Sequence, residues 1–283
     1  MRIADRQLRP VLRVSVTAGL LAPWLACGAD SPASPAPDTS DDRIALSADG
    51  ATLSGTNGGG GGSIGWLHNF DADTLAGVAV EHQGIANSQW TFGSVNGSLI
   101  LGTGDARYGL YGEAHEGAGD VGSSSFRYEI EAVGIIGSYY KKLSLLLEDR
   151  RIDVLQSHGN LPKAGITYQW NPHISTSLSY AGTVSGNLGT RFTTARMDVT
   201  GPGVNYLAGA AFGQASPAVL NLGGISLPGS TLREGFVGLS KPFLILRGDL
   251  SVILDYIDLS KPGISDSRHA TLTIGYIFHV GHR

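Results

Sequence analysis

The sequence predicts an all-β chain that closes into a transmembrane antiparallel up-and-down β-barrel of about fourteen strands, with about twelve as the alternative. Three observations predict it. Mean hydropathy is +0.04, yet no apolar run approaches the roughly 20 residues that a spanning helix needs. Charged residues make up only 16% of the 283, and 41 are glycine, which suits many strands whose apolar side chains stand at every second position. The closing stretch His269 to Val280 reads with period 2, one face apolar and the other mostly polar. Ala270, Leu272, Ile274, Tyr276, Phe278 and Val280 share one face, and Thr271, Thr273, Gly275, Ile277 and His279 the other.

From the start of the chain, Arg2, Arg6, Arg9 and Arg13 precede the mostly apolar run Val14 to Ala26, followed by small residues. This is the order of parts of a secretory signal peptide over residues 1–29, with cleavage near Ala29. Cys27 is the only cysteine, so no disulfide forms within the chain. Leu25-Ala26-Cys27-Gly28 resembles part of a lipoprotein signal, in which Cys27 would be the lipidated residue. Residues 30–45, rich in Pro, Ser, Ala and Asp at their start, are expected to form a disordered linker, and 46–283 the barrel. Gly58 to Gly62 is expected to be a flexible loop at a strand end.

From Ser63 onward, strands alternate with tight turns and longer loops. The turns are expected at Phe70-Asp71-Ala72-Asp73, Gly102 to Asp105, Tyr139 to Lys142, Trp170 to His173, Thr200 to Gly203 and Ser240 to Phe243. Their spacing fits two spanning strands and one outer loop. Phe70, Tyr139, Tyr140, Trp170 and Phe243 at these turns, with Tyr276 and Phe278 of the closing strand, would form an aromatic girdle at one membrane interface. Glu116 to Ser125, Gln214 to Gly229 and Leu259 to Ser267 would be outer loops. An even strand count needs one further strand near Ile44 to Thr56.

Several strands sort charge to one face. Arg247, Asp249, Ser251 and Asp255 oppose Leu246, Leu250, Val252, Leu254 and Tyr256. Arg107, Tyr111, Glu113 and His115 oppose Tyr108, Leu110 and Ala114. Arg127, Glu129 and Glu131 oppose Phe126, Tyr128, Ile130, Ala132 and Ile136. A charge facing lipid near mid-bilayer costs about 2 to 4 kcal/mol, so in a barrel the charged faces belong in the lumen. The expected lumen set is Arg107, Glu113, Arg127, Glu129, Glu131, Arg247, Asp249 and Asp255. A soluble β-sandwich yields the same periodicity with the apolar face as its core, so periodicity alone leaves that fold open.

Candidates for chemistry are few. His173-Ile174-Ser175 puts His and Ser on one strand face, faintly resembling the His-x-Ser arrangement of outer-membrane phospholipase, but it abuts a periplasmic turn. Glu81-His82, and Glu113 with His115, are pairs without a third metal ligand. Asp149-Arg150-Arg151-Ile152-Asp153 is a charge cluster, either an outer rim meeting water or a bulge that re-aims Arg150 inward. No enzyme activity, cofactor or metal is expected. The net charge of −4 gives no nucleic-acid footprint.

Thr273, Gly275, Phe278 and Val280 follow the order of the C-terminal assembly signal of Gram-negative outer-membrane β-barrels, which this strand resembles. It departs from that signal because Gly281, His282 and Arg283 follow Val280. The resemblance implies residence in the bacterial outer membrane, contact with its lipid, and assembly by the barrel-insertion machinery. The segment Glu234 to Phe278, with Gly235-Phe236-Val237-Gly238-Leu239-Ser240-Lys241-Pro242-Phe243, loosely resembles YaiO-like outer-membrane barrels, which implies a surface-polysaccharide setting. The expected function is a porin-like channel for small hydrophilic solutes or a glycan. The alternative is a closed structural or adhesive barrel, and a lipid-modifying enzyme is a third reading.

Overall fold

The fold was described from a computed structural model, which describes residues 12–13, 26–27, 41–53, 58–71, 73–85, 88–102, 107–139, 142–154, 156–215, 230–243, 248–261 and 264–280. Apart from a two-residue pairing of Leu12–Arg13 with Ala26–Cys27, these residues form one antiparallel barrel. Its strands are β1 (Asp41–Leu53), β2 (Gly59–Asn69), β3 (Thr74–Ile85), β4 (Ser88–Leu101), β5 (Arg107–Val121), β6 (Ser124–Tyr139), β7 (Leu143–Val154), β8 (Lys163–Asn171), β9 (Ile174–Gly182), β10 (Arg191–Thr200), β11 (Asn205–Ala215), β12 (Ser230–Phe243), β13 (Gly248–Lys261) and β14 (Ile264–Val280). Each pairs with its neighbours in sequence, and β14 closes on β1 through His269 to Val280 against Leu53 to Asp42. The ring therefore has 14 strands and no free edge. Ser157–Asn160 and Ser185–Gly186 are short additions between the loops beyond β7 and β9.

Both ends of the ring lie at the same rim, because Val280 pairs with Asp42. Short turns such as Pro172–His173 and Gly201–Val204 join strands there, which is the periplasmic rim of an outer-membrane barrel. The loops carrying Leu161 and Leu188 lie at the opposite, outer rim.

Several local expectations shift. The barrel begins at Asp41, inside the stretch expected as linker. Ser240 to Phe243 is strand rather than turn, and the connection at 244–247 lies outside the described residues. Glu116 to Ser125 is not a loop. β5 and β6 run through it to a tight turn at Gly122-Ser123, where Gly122 has a φ of 59°. Most of Leu259 to Ser267 is likewise strand, while 216–229 lie outside the described residues.

The glycine run is also strand: Gly59 to Gly62 pair with β1 and β3. A Cβ on Gly61 would lie 2.6 Å from the Gln83 side chain. Gln83 lies across this glycine, and its Nε2 donates to Asp49 Oδ1 at 2.8 Å on the far side of β2. Only a residue without a side chain lets a β3 side chain reach β1.

Strand length then explains how the barrel is layered. β6 has 16 residues. At about 3.3 Å per residue and a tilt near 40°, it rises roughly 40 Å, well beyond an apolar band of about 25 Å. In the periplasmic tier the outward side chains are apolar: Leu46, Trp66, Val78, Val95, Leu110, Val133, Ile135, Leu147, Leu178, Met197, Val237, Leu254 and Ile274 are exposed. Above it the outward residues turn charged or polar, with Thr91, Glu116, Arg127, Glu131, Asp149, Arg151, Asp153, Arg233 and Arg268 exposed. The inward faces change in the opposite sense. Trp90, Phe92, Phe126, Tyr128, Ile130, Ile152, Val154, Leu161, Ala181 and Leu188 pack into one buried cluster in the outer tier. Ala211, Ala215, Leu232, Ile257 and Leu259 form a second, and Phe192 packs against both.

Candidate functional site: the barrel lumen

Below the apolar clusters, strand alternation turns a belt of charged side chains inward. β5 contributes Tyr111, Glu113 and His115; β7 contributes Glu148 and Arg150; β8 contributes Lys163. Arg150 is held between two acids. Its Nη2 donates to Glu113 Oε1 at 2.8 Å, and its Nε lies 3.4 Å from Glu148 Oε1. Glu113 also meets His115 Nε2 at 3.7 Å.

β6 separates β5 from β7, so the network must cross it, and it does so at a glycine. The Tyr111 hydroxyl donates to Glu148 across Gly134, where a Cβ would stand 2.3 Å from the Tyr111 ring. Glu148 is 7% exposed and Arg150's side chain 12%, so these charges are desolvated and need one another. Removing one would strand the rest. Further round the wall, the Arg196 guanidinium on β10 clasps Asp198, with Nε 2.9 Å from both carboxylate oxygens.

The facing wall is different. Seven strands from β6 lies β13, where Asp255 is buried beside inward Glu234 of β12 and His269 of β14. Asp255 Oδ1 and His269 Nδ1 make no hydrogen bond to protein. Nearer the periplasmic rim, Asp249 Oδ2 meets His279 Nε2 at 3.0 Å.

Between and below these groups the inward face mixes small polar residues with buried apolar ones, Leu67, Leu75, Leu207, Phe236 and Ile253. Ser47, Ser63, Ser175, Ser177, Ser179, Thr271 and Thr273 face inward and are only half-buried, so they border solvent inside the wall. Ser47 and Ser63 share a hydrogen bond of 2.7 Å.

Of the lumen residues expected from the sequence, Arg107, Glu113, Asp249 and Asp255 point inward, and only Glu113 joins the belt around Arg150. Arg247 lies outside the described residues. The assignment for β6 is reversed. Phe126, Tyr128, Ile130 and Ala132 are buried inside, while Arg127, Glu129 and Glu131 point out. Arg127 is 67% exposed and meets Glu116 Oε1 at 2.9 Å and Glu129 Oε2 at 3.2 Å; Glu131 lies 3.8 Å from Arg151. These charges stand above the lipid band, where the outside is water and carries no penalty.

Asp149, Arg151 and Asp153 form an outer rim of the same kind, and the β6–β7 register runs through them without a bulge. Arg150 faces inward by simple alternation.

Glu81, Glu148, Lys163, Arg196, Asp198 and Glu234 were missed as inward charges. Period-2 counting across β3, β10 and β12 carries the signal for Glu81, Arg196, Asp198 and Glu234. In β7, Leu145-Leu146-Leu147 hides the phase before Glu148.

Among the girdle residues, Phe70 and Trp170 are exposed and Phe243, Tyr276 and Phe278 half-buried, all on the outward face near the periplasmic rim; the side chains of Tyr139 and Tyr140 lie outside the described residues. Trp66, Tyr108, Tyr168 and Tyr206 extend that ring. Trp66 Nε1 donates to Asp42 at 3.1 Å, the wet-ended aromatic geometry of a membrane interface.

His173 sits exposed at its turn, with Nδ1 3.0 Å from the Thr200 carbonyl, while Ser175 points into the lumen. Glu81 and His82 face opposite sides. Among the described residues no group of three His, Cys, Asp or Glu could hold a metal.

No family model and no curated protein matches the chain. Solved structures do. The CymD monoaromatic hydrocarbon channel superposes with a TM-score of 0.61 at 9% identity, over 87% of this chain and 89% of CymD. The outer membrane protein Omp33 of Acinetobacter baumannii gives 0.51 at 10% identity, over 84% and 98%. The toluene transporter TodX of Pseudomonas putida gives 0.51 at 9%, over 86% and 90%. At such identities the likeness establishes the fold, a transmembrane β-barrel of the kind found in the outer membrane.

Proposed function

We propose that this chain is an outer-membrane channel for small solutes, with the passage running through the lumen past the charged belt. One observation carries the reading. Within the lipid-facing tier part of the wall, around Ser47, Ser63, Ser175, Ser177 and Thr273, holds small, half-buried polar side chains beside a desolvated charge network, the polar lining that a wet, selective path needs. Likeness in fold to CymD and TodX, named for monoaromatic hydrocarbons and toluene, supports channel function for a barrel of this architecture.

The belt would act as the filter. Arg150 and Lys163 stand on the wall facing Glu234 and Asp255, so a permeating solute crosses a field between walls of different charge. Solute flux into liposomes tests this. Small solutes should equilibrate across vesicles containing the refolded chain, and Arg150→Gln should change the cation-to-anion preference of the flux. Vesicles that hold heat-modifiable barrel but leak nothing would refute it.

A closed barrel is the second reading, and one observation favours it. Among the described residues the outer tier holds clusters of buried apolar side chains, Ile152 and Leu188 being 0% exposed, as a plugged lumen would. Lipid-enzyme chemistry has no such support: His173 is exposed at its turn with Nδ1 3.0 Å from the Thr200 carbonyl, and Ser175 faces the lumen. Glycan export and contact with the insertion machinery rest on the sequence resemblances alone.

A further inference from the structure

The polar side chains of the lumen are not used alike round the wall. On β13, β14, β1 and β2 several hydroxyls are taken by protein: Ser47 bonds Ser63 at 2.7 Å, Thr271 Oγ1 bonds His269 Nε2 at 3.1 Å, and Ser251 Oγ donates to the Gly275 carbonyl at 3.4 Å. The wall of β8, β9 and β10 differs. Thr167, Gln169, Ser175, Ser177, Ser179 and Thr194 face inward and are half-buried, and among the described residues no side-chain hydrogen bond joins any of them to protein. Register sets them side by side, with Gln169 opposite Ser175, Thr167 opposite Ser177, and Ser179 opposite Thr194. From Ser175 up to the charged belt this strip runs about 20 Å at about 3.3 Å per residue.

One cation stands at its head. Lys163 is half-buried and faces the lumen between Ala181 of β9 and Glu148 of β7. Glu148 does not take its ammonium, because it accepts from the Tyr111 hydroxyl and lies 3.4 Å from Arg150 Nε. Among the described residues no hydrogen bond or ion pair reaches Lys163 Nζ, and that atom is not sealed from solvent. The other inward cations here are engaged, Arg150 with Glu113 and Glu148, and Arg196 with Asp198. Gly165, the next inward position below Lys163, puts no side chain beside it. The three N–H donors of an ammonium need acceptors, and these must come from what fills the lumen.

Building on the channel reading, we infer that the β8–β10 wall is a binding strip for small hydroxylated carboxylates, with the carboxylate on Lys163 and the solute's hydroxyl groups on Thr167, Ser177 and Ser179. Arg150 and Lys163 together balance Glu113 and Glu148, so the belt has no net negative charge to repel an anion. A charge-assisted hydrogen bond from Lys163 fixes the carboxylate, and the hydroxyls below it exchange water for solute at little cost. An apolar solute would leave these groups unpaired.

The test is isothermal titration calorimetry on the refolded full chain in detergent. Gluconate is the hydroxylated carboxylate, propionate the carboxylate without hydroxyls, and glucose the hydroxylated solute without charge. Saturable gluconate binding is expected, tighter than either control by about tenfold, the worth of one hydrogen bond to a charged group. Lys163→Gln should bring gluconate down to the level of glucose, whereas Lys163→Arg should keep the preference. Ser177→Ala with Ser179→Ala should bring gluconate toward propionate. Heat-modifiable mobility on a gel verifies that each variant still forms the barrel.

Gluconate binding no tighter than that of glucose or propionate would overturn the strip, and so would a preference that survives Lys163→Gln. Should Lys163→Gln fail to form the barrel, the serine pair decides, and an unchanged preference for gluconate over propionate in that variant would overturn the strip as well. Single-channel current separates this outcome from failure of the channel reading. Current from a barrel without gluconate preference removes the strip and leaves the channel, whereas gluconate binding in a barrel that passes no current removes the channel and leaves the strip.

Discussion

The two tiers of this barrel use the same alternating strands in opposite ways. In the periplasmic tier Val133 and Ile135 of β6 face out to lipid while Gly134 faces in beneath Tyr111. A few residues along the same strand, Arg127, Glu129 and Glu131 face out and Phe126, Tyr128 and Ile130 face in. The backbone does not change register between them; the solvent outside does. Where the outside is hydrocarbon, charge is expelled to the lumen, and where it is water, apolar side chains withdraw into the interior. The outer tier is therefore packed like a water-soluble barrel, standing on a membrane-embedded one.

Substitutions at matched positions can break that contrast, and stability of the refolded barrel in urea is the common readout. The largest effect is expected from Phe92→Ala, which empties part of the outer tier's packed interior and should cost about 3 to 5 kcal/mol. Val133→Arg, on the lipid face, follows at about 2 to 4 kcal/mol, whereas a similar loss from Glu131→Arg would contradict the placement of Glu131 in water. Glu131→Gln removes only a partly exposed ion pair and should stay within about 0.5 kcal/mol of the parent.

Asp71→Ala is expected to do least. Asp71 sits in a periplasmic turn, where its Oδ1 accepts from the Asp73 amide at 2.8 Å, and this bond holds its carboxyl below the usual aspartate range. Its small contribution is present above the ordinary aspartate pKa and fades as pH falls through the lowered value. Urea midpoints of the parent and Asp71→Ala should therefore converge in acid.

The contrast also explains what the sequence could and could not tell. Strand number and the turns at Phe70 to Asp73, Trp170 to His173 and Thr200 to Gly203 were legible because alternation and turn residues are local, whereas Ser240 to Phe243 proved to be strand and the expected turns at Gly102 to Asp105 and Tyr139 to Lys142 lie mostly outside the described residues. β13 and β14 oriented themselves correctly because their mid-membrane outward faces, Val252, Leu254, Leu272 and Ile274, are purely apolar. For β6 the phase was inverted. A period of two separates the faces but does not say which is inside, and the charges of β6 lie beyond the membrane. Val133 and Ile135 share a face with Arg127 to Glu131, and that break within one face was the signal.

The glycine run of β2 was lost for another reason. Without side chains it shows no period, and its strand state depends on β1, β3 and the crossing of Gln83. The charge network was the least legible part. Tyr111 reaches Glu148 over Gly134, and the meaning of that glycine appears only when β5, β6 and β7 are side by side.

The central claim, a selective path through the lumen, is most directly tested by single-channel current across a planar bilayer containing the refolded mature chain, with Arg150→Gln and Glu113→Gln beside the parent. The account predicts discrete current steps, with a reversal potential in a salt gradient that moves toward cation preference in Arg150→Gln and toward anion preference in Glu113→Gln. A heat-modifiable barrel that gives no current would contradict it, as would current whose ion preference ignores both substitutions.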